Sequence, residues 1–188
     1  MYGMHRKAGP RTCRGLTLVE LMVTIALVAI VGTIAAPSFL DLRLNAARSA
    51  SVNDFFHALF LARAEAIKRG HIVSLCRSAD GRSCASQDAP WTVGWMVFVN
   101  EDRDEPAERD SNEAIVAVYG PRDNMSISSN RATYSFRPHT QGVVNGTIVF
   151  CDRRGSEHAR AIIISHTGRP RVATRDASGR ALKCADGA

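Results

Sequence analysis

A chain of 188 residues with 45% hydrophobic and 22% charged side chains has the make-up of a folded protein, which excludes a disordered or fibrous chain. Its formal charge of +6 is unevenly placed: residues 1–15 carry Arg6, Lys7, Arg11 and Arg14 and no acid, whereas residues 70–188 hold 15 bases and 14 acids. Within that second part residues 101–113 carry seven acids against Arg103 and Arg109, and residues 151–188 carry eight bases against four acids, so a local anion site is expected rather than general stickiness.

The first element is the apolar stretch 16–36. Its 21 residues span about 31 Å as a helix, close to the thickness of a bilayer core. The basic residues before it should stay cytoplasmic and the rest of the chain should face outward. A secretory signal would be shorter and would end in a small-residue cleavage site, where Pro37 stands here. A plain anchor explains the length but not Glu20, because a carboxylate in hydrocarbon costs roughly 2–3 kcal/mol and needs a partner. Cutting between Gly15 and Leu16 would free an α-amino group four residues before Glu20. That group, or the same group on a neighbouring copy, would pair strongly with the acid in low dielectric and fix one chain axially against the next.

Residues 14–22, R-G-L-T-L-V-E-L-M, resemble the class III signal of type IV pilins and pseudopilins. The resemblance implies a prepilin peptidase that cuts after Gly15 and methylates Leu16. It implies that Glu20 pairs with a neighbouring N-terminus during assembly with other pilin subunits, and that Pro37 is the helix-loosening proline of that family. Leu16 stands where the family more often has Phe. The expected divisions are a leader at 1–15, a transmembrane half-helix at 16–36, an amphipathic half at 37–69 and an outer domain at 70–188.

Phe55, Phe56, Leu59, Ala62 and Ala66 recur at helical spacing while Asp54, Arg63, Glu65 and Lys68 fall mostly elsewhere. Gly70 is placed to end that helix. Beyond it the pattern turns to short strands at 71–76, 91–99, 114–119, 132–136, 147–151 and 160–165, with weaker candidates at 169–174 and 180–184. The fold expected is α+β: a long N-terminal helix packed on antiparallel sheets or a sandwich. Cys13 precedes the apolar stretch, and Cys76, Cys84, Cys151 and Cys184 follow it. No C-x-x-C pair exists and the histidines are scattered, so no metal site is expected. Four cysteines in an exported domain allow three pairings, or free thiols. The favoured pairing is Cys76–Cys84, a short loop, with Cys151–Cys184, which ties the chain end to a strand.

Gly94-Trp95-Met96-Val97-Phe98, the acidic loop after them, and Ser165-His166-Thr167-Gly168-Arg169-Pro170-Arg171 resemble the GspH/FimT branch of the pilin-like proteins. That branch serves as minor pseudopilins of type II secretion or as minor type IV pilins linked to DNA uptake in natural transformation. The stretch 168–172, G-R-P-R-V, lies between two candidate strands and should form an exposed turn, with Gly168 free to take positive φ and Pro170 stiffening it. Arg169 and Arg171 would share a face and present forked donors suited to phosphate. This looks like the G-R-x-R element with which the FimT kind binds DNA. By charge alone Arg153, Arg154, Arg160, Arg175, Arg180 and Lys183 would widen the patch. No aromatic residue is interleaved, so contacts should run to the phosphates of double-stranded DNA with little sequence preference.

Other features read as structural. Asp102 and Asp104 have D-x-D spacing but lack the glycine and later glutamate of a calcium loop. Trp91, Trp95 and Phe98 read as core. His57, His139, His158 and His166 read as exposed or structural, with His166 beside the basic turn. No nucleophile stands beside an obvious base, and there is no G-x-S-x-G, Walker or H-E-x-x-H pattern, so neither an enzyme nor a cofactor is expected. The reading is a minor type IV pilin that waits in inner-membrane lipid with its domain in the periplasm and then joins the pilus. Its rival is a type II secretion pseudopilin with no DNA role.

Overall fold

The computed structural model describes residues 15, 17–138 and 145–185, excluding the side chains of 34–37. Cys13, Leu16 and His139 lie outside the described residues. Contacts divide the chain into a unit ending at Arg43 and a second unit that begins at Leu44.

A single helix, α1, runs Leu18–Arg69 and belongs to both units. At its start Thr17 Oγ1 accepts the Glu20 N–H at 3.2 Å and Thr17 C=O accepts the Leu21 N–H at 3.1 Å. Thr17 therefore caps the helix, and Glu20 lies in the first turn, where the helix dipole favours an anion. Every described side chain from 18 to 33 is exposed. Among the described residues no single helix is long and apolar enough to cross a membrane; the two parts of α1, Leu18–Thr33 and Ser38–Arg69, pass that test only together, as a pair bent at the break between them. At the far end Gly70 takes φ 71° and its N–H reaches Ala66 C=O at 3.0 Å, a left-handed stop that follows Lys68 and Arg69.

In the second unit Val52, Phe55, Ala58, Leu59, Ala62 and Ala66 form the buried stripe of α1. The alanines let the helix approach closely, and Phe55 supplies the bulk. Its ring lies 5.3 Å from Trp91, 5.1 Å from Trp95, 6.2 Å from Tyr134 and 5.9 Å from Phe150. Trp91 comes from a short 3-10 turn, and the other three partners come from two antiparallel sheets. The first has the order β3-β2-β1-β5, built from β1 (Ile72–Arg77), β2 (Trp95–Asn100), β3 (Ile115–Tyr119) and β5 (Tyr134–Phe136). The second has the order β4-β6-β7-β8, built from β4 (Met125–Ser129), β6 (Gly146–Asp152), β7 (Arg160–Ile164) and β8 (Pro170–Ala173). Alternation along the strands sends Val73, Leu75, Val97, Ile148, Phe150, Ile162 and Ile164 to the core shared with α1.

Each sheet also has a covered outer face. On the first, Cys76, Met96 and Phe98 pack with Ala107 and Cys84; on the second, Cys151, Ala161 and Ile163 pack with Leu182 and Cys184. A disulfide holds each cover: Cys76–Cys84 closes eight residues and Cys151–Cys184 closes 33. Arg48, buried on α1, pairs with Asp152 of β6 at 3.2 Å, and Arg154 holds the same carboxylate at 2.7 Å. The Arg154 hydrogen bonds keep Asp152 down at about 2.

Three elements differ from the sequence reading. β4 is not among the strands expected from the sequence; its Met-Ser-Ile-Ser-Ser run buries only Ile127, too little apolar pattern to show as a strand. Residues 180–184 form no strand, only an isolated bridge between Arg175 and Ala181, because Leu182 and Cys184 serve as plugs for the outer face. Residues 91–93 form a 3-10 turn rather than continuing β2. There Gly94 takes φ 111° with no room for a Cβ against the Tyr119 and Ser78 carbonyls.

Candidate functional site

The loop joining β7 and β8 is built by its own short hydrogen bonds. Gly168 N–H donates to Ser165 C=O at 2.8 Å, Ser165 N–H donates to Arg169 C=O at 3.1 Å, and the Ser165 and Thr167 hydroxyls lie 2.8 Å apart. Gly168 takes φ 75°, which a side chain would resist. The turn proper is therefore 165–168, earlier than the 168–172 expected from sequence, because the ladder continues to Ile164 opposite Pro170. Pro170 opens an edge strand, where its missing N–H costs no ladder bond. Arg171 stands opposite Ile163, whose side chain faces the outer side of the sheet. Two residues earlier, Arg169 has the same strand parity.

Both arginines are exposed, while Gly168 between them and β7 is buried. Among the described residues neither Arg169 nor Arg171 makes an ion pair or a side-chain hydrogen bond. No carboxylate among the described residues neutralises their charge. A third base arrives from 105 residues away: Arg63 of α1 donates from Nη1 to Gly168 C=O at 3.2 Å. Sequence reasoning took Arg63 as an ordinary polar helix position. Only the docking of α1 on this turn reveals it, and no local signal could have done so.

The other six candidate bases are placed differently. Arg154 is engaged with Asp152 and with Asn45 Oδ1 at 2.9 Å. Arg180 pairs with Asp176 at 2.9 Å, Arg160 donates to Ala159 C=O at 2.9 Å, and Arg175 donates to Gly179 C=O at 3.1 Å. Arg153 and Lys183 are exposed. Arg160 opens β7 at the end opposite the turn, about 13 Å of strand away. The turn thus gathers Arg63, Arg169 and Arg171, and leaves the remaining candidates elsewhere.

The acidic run is held by its own backbone. Glu113 is buried and accepts the N–H groups of Glu101 at 2.6 Å and Asp110 at 3.0 Å; Asp104 accepts Asn100 Nδ2 at 2.9 Å and Glu108 N–H at 2.8 Å. No group of three or more potential metal ligands occurs among the described residues. Trp91, Trp95 and Phe98 are buried as expected. His57 Nδ1 lies 2.9 Å from the Tyr119 hydroxyl, and His158 and His166 are exposed. In the first unit Glu20 is exposed and makes no ion pair among the described residues.

Two family models match the chain. The prokaryotic N-terminal methylation motif covers residues 10–36, which include Gly15, Leu16 and Glu20. Type II transport protein GspH covers residues 51–168 and ends at Gly168, just short of Arg169 and Arg171. No curated protein matches the sequence. Among solved structures the chain is similar to the type IV minor pilin FimU of Pseudomonas aeruginosa strain PAO1, with a TM-score of 0.52 and 16% identity over 72% of this chain and 92% of that one. It also aligns with the minor pseudopilin EpsH of the Type 2 Secretion System of Vibrio cholerae, with a TM-score of 0.46 and 12% identity over 66% and 94%. The likeness to FimU carries the fold: a helix packed on two antiparallel sheets. With well over half its length matched and the methylation motif in front, the chain belongs to the GspH family of pilin-like proteins.

Proposed function

We propose that the chain is a minor type IV pilin, cut by a prepilin peptidase after Gly15, methylated at Leu16, and anchored in the inner membrane by a single span until it joins a pilus. Glu20 then pairs with the terminal amine of a neighbouring subunit, which explains an acid that finds no ion-pair partner within its own described chain. In the filament the domain binds double-stranded DNA without sequence preference during uptake, as a binding module with no catalytic step and no cofactor. The observation that carries the ligand is the β7–β8 turn, where Arg169 and Arg171 are exposed and make no ion pair among the described residues. Guanidinium forks so placed suit phosphate oxygens, and a patch without base-stacking aromatics reads the backbone.

The family match to a type II transport protein supports a second reading, a pseudopilin of the secretion filament with no DNA contact. Replacing Arg169 and Arg171 by Gln in the cell that makes the protein separates the two. The first reading expects transformation to fall at least tenfold with secretion intact; the second expects the reverse. Mass spectrometry of the processed protein tests the shared part, with a methylated N-terminus at Leu16 as the expected result.

A further inference from the structure

Arg131 lies on the link between β4 and β5, some forty residues from the basic turn, and the fold brings it to the same rim. Gly146 opens β6, pairs with Ile164 at the end of β7, and Ile164 pairs with Pro170 of β8. Two strand spacings thus separate Gly146 from Pro170, about 10 Å. Arg131 crosses the end of β6 at Gly146: a Cβ there would meet Arg131 Cγ at 3.1 Å and the Tyr134 ring at 2.8 Å. Its guanidinium is aimed by Asn145, with Nε donating to the backbone C=O and Nη2 to Oδ1, both at 2.8 Å. Among the described residues Nη1 has no acceptor and Arg131 makes no ion pair, and the residue is exposed. Between Arg131 and the end of β7 runs a groove of about 200 Å³, floored by Asn130, Thr147 and Ile163.

We infer that Arg131 is the second pole of a two-point phosphate clamp, the first pole being Arg169 with Arg171. The inference deepens the DNA-binding reading and rests on it. Bases at both ends of one rim, with polar and apolar groups but no carboxylate on the groove floor, make a site that spans two phosphate chains. About 10 Å of backbone, plus the reach of the side chains, suits the two strands that flank a minor groove roughly 6 Å wide. Arg63, bonded to Gly168 C=O, is a positioning residue that holds the first pole. A fixed guanidinium at Arg131 gives up less side-chain freedom on binding than a loose one would.

The test is equilibrium binding of a fluorescent 20-base-pair duplex by the full chain in detergent micelles, measured from low to moderate salt. For Arg131→Gln the inference expects about three- to tenfold weaker binding and a salt slope shallower by about one unit. Arg131→Glu should weaken binding further, and Arg131→Lys should restore most of the affinity. Melting temperatures should match the wild type, since the residue is exposed, and Arg131→Lys keeps the test readable if the Gln variant loosens Asn145. Unchanged affinity and slope in both Gln and Glu variants, with Arg169→Gln/Arg171→Gln still abolishing binding, overturns the clamp and leaves the DNA reading standing. Absence of duplex binding by the wild type overturns both.

Discussion

The two sheets of the domain are built alike and charged oppositely. Each turns one face to α1 and has its other face closed by irregular chain pinned with a disulfide. Over the first sheet the cover joins the Cys84 loop to the acidic run of residues 101–113, where Glu113 and Asp104 accept backbone N–H groups and give the run its shape. Beside the second sheet the rim carries Arg169, Arg171 and Arg131, which find no carboxylate among the described residues. The shared architecture is about packing. The difference lies in which charges are satisfied internally and which are left for a partner. An acidic surface on one side also disfavours approach of a polyanion in the wrong orientation.

The largest expected effect tests what the two halves share. Phe55 touches aromatic rings from both sheets, so Phe55→Ala should cost about 3–5 kcal/mol, read from urea unfolding as a lower midpoint. Next come the two covers. Replacing Cys151 and Cys184 by Ser should cost about 3–4 kcal/mol and replacing Cys76 and Cys84 about 2–3 kcal/mol, because loop entropy grows with the 33-residue and eight-residue separations. Equal losses would mean that the covers are held by packing rather than by chain closure.

Acid provides a finer test on the second sheet. Asp152 is held at about 2 by the Arg154 hydrogen bonds, against about 3.9 in an unfolded chain. A depressed carboxyl stabilises the fold fully above about pH 4, and that contribution is lost as the pH falls toward 2. Asp152→Asn should therefore flatten the pH dependence of the urea midpoint between those limits. A profile as steep as that of the wild type would place the acid sensitivity elsewhere. The smallest expected effect is the charge control on the first sheet: Arg82→Gln with Arg103→Gln, both exposed there, should leave duplex binding within about twofold, since neither belongs to the basic rim.

How much of this could be read in the sequence depended on the range of the interaction. The helical stripe from Phe55 to Ala66 and strands β1, β2, β6 and β7 carry their own apolar periods, and the structure forms them close to where they were expected. Cys76–Cys84 and Cys151–Cys184 were the favoured pairing and are the bonds formed. β4 was hidden because a serine-rich strand is fixed by its partner β6 and not by its own pattern. The basic site was only partly legible. Arg169 and Arg171 declare themselves by lying two apart around a proline, whereas Arg63 and Arg131 reach the same rim through helix docking and strand register. Conversely, Arg154 and Arg180 counted as free bases in the sequence, yet each has an acid close by in the chain that engages it.

The claim on which the functional account turns is that the rim of the second sheet is an electrostatic site for duplex DNA. Gel retardation of a 30-base-pair duplex by the full chain in detergent, at two salt concentrations, tests it most directly. With about four phosphates neutralised, log affinity should fall with log salt at a slope near −3 to −4, and Arg169→Gln/Arg171→Gln should abolish retardation without moving the melting temperature. Retardation that ignores salt, or that survives in the double variant, would contradict the account.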